Sequence, residues 1–150
     1  MKIYLDTCCL NRLSDRQIHE RIRQETEAVN IMLSNFRTKR WHWISSSILQ
    51  FEINQNPDLD QRVALTTLLQ LGHQTIFVGG EEILRGEELE GLGFKELDAL
   101  HIACAESGNA DILLTTDDRM LRRAKRYRAQ LRVRVENPYT WLQEINWQMF

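Results

Sequence analysis

Lys2-Ile3-Tyr4-Leu5-Asp6 is a short, apolar, β-leaning run ended by an acid, and Ile112-Leu113-Leu114-Thr115-Thr116-Asp117 repeats the theme near the other end of the chain. Two short apolar runs followed by carboxylates read as buried strands whose C-terminal ends face a crevice, where open α/β sheets put their sites. Between and after them the pattern alternates. A helix is expected from about 17 to 36, where Ile22, Val29, Leu33 and Phe36 fall near one face. A second strand is expected at 41–45. The hydroxyls of Ser45, Ser46 and Ser47 can then cap a helix that runs to Gln55 and breaks at Asn56-Pro57. Further helices are expected at 60–71, 81–90, 95–107 and 117–130, with one more from about Pro138 to Ile145. The remaining strands are expected at 75–78, 111–114 and 132–135. Strands separated by helical crossovers imply an α/β fold with a mostly parallel central sheet flanked by helices on both faces.

The bulk properties set bounds without naming a function. The 150 residues suit one domain, 1–150, and 43% hydrophobic content suffices for a packed core. Net charge is −2, so any basic surface must come from local distribution. Cys8, Cys9 and Cys104 are an odd set with two adjacent members, which suits neither a disulfide framework nor a zinc knuckle. Reduced, buried thiols in a cytoplasmic protein are expected, with no leader and no membrane span.

Four acids stand out. Asp6 follows the first strand, although a polar residue that merely ends a strand accounts for it equally. Glu52 lies three and four residues after Leu49 and Ile48, on an apolar helical face. Asp98 lies on a stripe with Ile102 and Ala105. Asp117 follows the fourth strand, where it or Asp118 can also cap the next helix. Acids gathered at one sheet edge repel one another unless a cation joins them, which points to a hard-metal site. His19, His42, His73 and His101 are scattered; His101 sits one turn from Asp98, within reach of the pocket, although a packed or surface role is expected for it.

Arg119 to Arg134 holds seven arginines and a lysine and no acid. Arg119, Arg122, Arg123 and Arg126 recur at i, i+3, i+4 and i+7 and share a helical face that suits phosphate contacts, a solvated surface or a protein partner. The aromatic C-terminus (Tyr139, Trp141, Trp147, Phe150) suits core or dimer packing, as do Trp41 and Trp43.

The ordered set Ile3-Tyr4-Leu5-Asp6-Thr7, Ser47-Ile48-Leu49-Gln50-Phe51-Glu52, Leu97-Asp98-Ala99-Leu100-His101-Ile102-Ala103 and Leu113-Leu114-Thr115-Thr116-Asp117, closed by Asn137-Pro138, resembles the PIN-domain family. These are small metal-dependent ribonucleases that include the toxins of VapBC-type toxin–antitoxin pairs. The resemblance implies a three-layer sandwich and an acidic pocket binding Mg2+ or Mn2+. It also implies hydrolysis of RNA phosphodiesters. It makes Asp6, Glu52, Asp98 and Asp117 the metal and catalytic carboxylates and Thr115 the supporting hydroxyl, with Arg119, Arg122, Arg123 and Arg126 left to hold RNA. An antitoxin protein or a second copy of the chain would be its protein partners. One position departs: Cys8 stands where the family often has Asn, and a thiol is a poor ligand for a hard cation. That substitution leaves a non-catalytic PIN-like module, binding RNA or protein, as the alternative.

Overall fold

The computed structural model describes the backbone of residues 1–149 and the side chains of residues 1–146. Five strands, β1 (Lys2–Leu5), β2 (His42–Ser46), β3 (Gln74–Ile76), β4 (Ile112–Leu114) and β5 (Arg134–Glu136), form one sheet in the order β3-β2-β1-β4-β5. All four pairings are parallel. Among the described residues eight helices flank it: α1 (Thr7–Asn11), α2 (Glu20–Arg37), α3 (Ser47–Asn54), α4 (Leu59–Leu69), α5 (Gly80–Gly91), α6 (Glu96–Ser107), α7 (Asp118–Arg126) and α8 (Pro138–Met149). The chain is thus a three-layer α/β sandwich.

The layers follow from the period-two alternation of strand side chains. Tyr4, Ile44, Leu113 and Val135 face one side and pack with α5, α6 and α7 through Leu89, Ile102, Ala105 and Leu121. Ile3, Leu5, Trp43, Ile112 and Leu114 face the other and pack with α2 and α8 through Val29, Met32, Leu33, Phe36, Trp141 and Leu142. Phe36 stacks on Trp43 with ring centroids 5.1 Å apart. β1, β2 and β4 are buried on both faces, which is why they read as apolar runs rather than as alternating patterns.

The differences from the expected elements are small and have local causes. Asp6 does not simply end a strand. Its carboxylate caps the unexpected one-turn-plus helix α1 by accepting the Thr7 N–H. The helix expected over 117–130 stops at Arg126; a short 3-10 turn, Arg128–Gln130, follows. The fifth strand sits one to two residues later than expected. Ile22 is only half-buried, whereas Val29, Leu33 and Phe36 are core. The three cysteines are free, with Cys9 and Cys104 buried and Cys8 half-buried. Tyr139 and Trp141 pack into the core, and the Trp147 and Phe150 side chains lie outside the described residues. Among the described residues, no helix is long and apolar enough to cross a membrane.

The chain runs outward from β1 to β2 and β3, then returns to β4 on the other side of β1. The topological switch point therefore lies between β1 and β4, and the segments after both strands meet there.

Candidate functional site

Asp6 emerges from β1 at this switch point. Its backbone N–H donates to the Leu114 carbonyl at 2.9 Å, which ties the end of β1 to the end of β4. The residue is 5% exposed, and each carboxylate oxygen is held. The Thr7 N–H donates to Oδ1 at 2.7 Å, and the Thr115 hydroxyl donates to Oδ2 at 2.8 Å. Thr115 Oγ1 also accepts the Asp117 N–H at 3.2 Å, so one hydroxyl joins two of the sequence-predicted acids.

Cys8 takes part in this arrangement. Its thiol lies 3.3 Å from Asp6 Oδ2 and 3.2 Å from Thr115 Oγ1, and it accepts the Thr116 N–H at 3.2 Å. The departure at Cys8 therefore keeps a polar link between the β1 and β4 ends.

Glu52 reaches the same place from α3, a helix capped by the Ser46 hydroxyl. Its Oε1 accepts the Thr7 hydroxyl at 3.2 Å and meets His101 Nε2 in a direct hydrogen bond. His101 comes from α6, is wholly buried, and also places Nε2 3.3 Å from Asp6 Oδ1. On its other side Nδ1 lies 2.6 Å from the Tyr4 hydroxyl, itself 2.6 Å from Ser46 Oγ. A buried relay thus runs from the α3 cap through Tyr4 and His101 to two carboxylates. Asp6, Glu52 and His101 form a cluster whose ligand-type atoms lie within 4.8 Å of one another.

His101 is packed, as expected, and the less expected alternative also holds, since it reaches the pocket and is the centre of the acidic site. Its periodicity on α6 matched an apolar face and gave no sign of this. The signal available was its i+3 spacing from Asp98, which puts both on one side of the helix.

Asp98 and Asp117 stand outside that tight cluster, and Asp98 is coupled to it electrostatically. Burial first, then the charges of Asp6 and Asp117, push the Asp98 carboxyl up to about 6. Burial disfavours the His101 cation, but the charges of Asp6 and Glu52 outweigh it and raise its pKa. Burial likewise works against the Glu52 anion, yet the His101 and Thr7 hydrogen bonds prevail and lower its pKa. Asp117 caps α7, accepting the Arg119 and Met120 N–H groups at 2.9 and 3.2 Å. Asp118 is turned away: Arg21 grips it through two 2.8 Å bonds and also donates to the Thr116 carbonyl at 3.0 Å. Arg21 and Arg12 in turn hold Glu25, which is 1% exposed.

The four arginines of α7 line one small cavity of about 170 Å³. Arg123 is half-buried and donates to the Leu92 carbonyl at 3.2 Å, so part of its role is to join α7 to the α5–α6 turn.

The family model of the PIN domain matches residues 3–126. The chain belongs to the PIN-domain family. Among curated proteins no relative matches by sequence. VapBC2 from Rickettsia felis, bound to a DNA fragment from its promoter, contains a chain that is similar over 91% of this chain and 98% of its own, with 17% identity and a TM-score of 0.54. VapBC-1 from nontypeable Haemophilus influenzae is similar over 92% and 98%, with 18% identity and a TM-score of 0.59. At this identity the likeness is one of fold, and it extends beyond the family match to most of the PIN-like chain.

Proposed function

We propose that this PIN domain is a divalent-metal-dependent endoribonuclease that hydrolyses RNA phosphodiester bonds, in the cytoplasm, as the toxin of a toxin–antitoxin pair. The observation that carries the reading is the meeting of Asp6, Glu52 and His101 at the sheet's switch point, with Asp98 close enough to feel the charges of Asp6, Asp117 and Glu52. Maintaining so many acids in a partly buried place is costly for a fold and useful for binding a cation. The similar solved chains come from VapBC assemblies, which favours an antitoxin as protein partner.

The donor set fits Mg2+ or Mn2+. Four carboxylates supply the hard oxygen ligands that these ions prefer. Asp98, whose side chain has no hydrogen-bond partner among the described residues, is the acid least neutralised by protein groups. His101 Nε2 is directed at Glu52 and Asp6 as a donor, so it steadies ligands instead of serving as one. When bound, the ion would supply a water of lowered pKa and charge to steady a phosphoryl oxygen. Asp6, Glu52, Asp98 and Asp117 would hold it. Thr115 and Cys8 orient Asp6; Thr7 and His101 orient Glu52. The arginine face of α7 starts two residues after Asp117 and would draw the RNA strand toward an otherwise repellent acidic pocket.

The alternative of a non-catalytic module drew its motive from Cys8. The thiol's contacts with Asp6, Thr115 and Thr116 remove much of that motive. Incubating the protein with single-stranded RNA and Mn2+, with and without chelator and beside Asp6→Asn, tests the proposal. Cleavage by the wild type that survives chelation, or equal cleavage by Asp6→Asn, would count against it.

A further inference from the structure

Arg12, Arg21, Arg85 and Arg134 each have a carboxylate within ion-pair distance. Arg119, Arg122, Arg123 and Arg126 have none among the described residues, although they crowd one face of α7 and together line a single cavity of about 170 Å³. Asp118, the acid adjacent to them in sequence, is ion-paired to Arg21, and Arg122 acts on it only through its charge at longer range. Like charges at i, i+3 and i+4 destabilise a helix. A fold that keeps four guanidinium groups together without an anion therefore presents a site for one.

The cavity is built as well as charged. Gly93 has φ of +101°, and a Cβ there would come within 2.3 Å of Arg123 Nη1. Glycine at this turn thus lets the Arg123 guanidinium lie against the backbone and bond to the Leu92 carbonyl, fixing one wall. Arg126 is steadied by the Tyr127 ring, 5.4 Å from its guanidinium carbon to the centroid. Planar guanidinium forks match phosphate oxygens better than any other side chain.

We propose that these four arginines form a phosphate-binding pocket, distinct from the carboxylate centre, that clamps one phosphate of the RNA strand. The claim rests on the ribonuclease reading for the identity of the strand, but the pocket's affinity for phosphate does not depend on cleavage. From Asp117 to the middle of the pocket is roughly 8 Å along the helix axis at 1.5 Å per residue. A strand seated in the pocket and at the carboxylates together would be fixed where it is cut instead of being drawn by diffuse attraction.

Binding is measured with chelator present, so that chemistry is silent, using a short single-stranded oligoribonucleotide with and without a 5′-phosphate. Inorganic phosphate and an acidic peptide serve as further probes. Two variants lose the same charge: Arg122→Gln/Arg126→Gln in the pocket, and Arg128→Gln/Arg132→Gln on the exposed stretch beyond it. The pocket variant should lose about tenfold or more in RNA affinity, and its salt slope should fall by about two, while the control pair loses much less. A gain from the 5′-phosphate, lost in the pocket variant, assigns the clamp to a strand terminus; no gain assigns it to an internal phosphate. Both support the pocket. Equal losses in the two variants would overturn it in favour of a diffuse face. Preference of the same arginines for the acidic peptide over the oligonucleotide would overturn it in favour of a protein-docking surface. If the wild type binds RNA through the pocket but never cleaves it with Mn2+, the ribonuclease reading fails and the pocket stands.

Discussion

The His101 imidazole and the Glu52 carboxylate, 49 residues apart in sequence, meet in a direct hydrogen bond, and the same ring nitrogen lies 3.3 Å from Asp6. One donor thus holds two of the acids against their mutual repulsion. His101→Ala would leave those carboxylates facing each other and the Tyr4 hydroxyl without its ring partner. Breaking a buried charge pair by removing one member costs about 3–5 kcal/mol, less where water reaches the site, as it does at Glu52. The metal-free variant should melt well below the wild type, and Mn2+ should recover a larger share of its stability than in the wild type, because the ion replaces the missing positive charge. Tyr4→Phe should cost less, about 1 kcal/mol, since it removes one hydrogen bond from the outer end of the relay. Thermal melts with and without Mn2+ check this; identical metal-induced shifts in wild type and His101→Ala would show that the ring does not organise the cation site.

The pH dependence of stability follows from the same cluster. Asp98 keeps its proton to about 6 in the fold, against an ordinary value of 3.8. The native state therefore binds more protons than the unfolded chain in that window, and stability falls as pH rises through it. The His101 pKa is raised, so its contribution is present below the ordinary histidine range and is lost as pH rises through the folded value. Glu52, with a lowered pKa, acts in the opposite sense, and its contribution disappears only as pH falls through that lower value. The metal-free protein should thus be more stable near about pH 6 than near about pH 8, and saturating Mn2+ should flatten the difference. A metal-free melting curve that rises steadily across that range would contradict this.

Much of this was legible in the chain because strand burial and acid placement leave direct marks. Leu5-Asp6 and Leu114-Thr115-Thr116-Asp117 read as strand ends, and Ile48, Leu49, Ile102 and Ala105 mark the apolar faces that carry Glu52 and Asp98; all four of these apolar residues are buried. The helix α1 was not legible, since Thr7-Cys8-Cys9-Leu10-Asn11 has no helical period and forms because Asp6 caps it. His101 was not legible because its partners, Tyr4 and Glu52, come from other elements and meet only through the sheet order. The division of labour within the arginine run was hidden for a similar reason. Arg123 is half structural only because the turn carrying Leu92 and Gly93 lies beneath it.

Cys8 offers a narrower test. Its thiol accepts the Thr116 N–H and sits beside Asp6 Oδ2 and Thr115 Oγ1. An amide has both a donor and an acceptor, so Cys8→Asn should keep these links and the Mn2+ response. Cys8→Val is close in size but has neither, leaving the Thr116 N–H unpaired at a cost of about 1–3 kcal/mol and loosening Asp6. Mn2+ titrations followed by melting temperature separate the two variants. If Cys8→Val binds the ion as the wild type does, the thiol is a passive filler.

The strongest prediction joins the metal to the chemistry. Burial and the charges of Asp6 and Asp117 weigh against the Asp98 anion. Asp98→Asn removes that burden, so the metal-free variant should be as stable as the wild type or more so near neutral pH, while gaining little from Mn2+. The amide retains the shape but lacks the charge that would hold the ion, and RNA cleavage should fall by about two orders of magnitude or more, the scale expected when a charge-stabilising group is lost. Asp6→Asn should lose activity similarly but should not gain stability, because the Asp6 carboxylate is already satisfied by Thr7 and Thr115. Loss of activity in Asp98→Asn without loss of metal-free stability distinguishes a cation-binding role from general damage to the fold. Should Asp98→Asn cleave RNA at the wild-type rate while keeping its full Mn2+-induced rise in melting temperature, the ion binds elsewhere and the four-acid site is not the catalytic one.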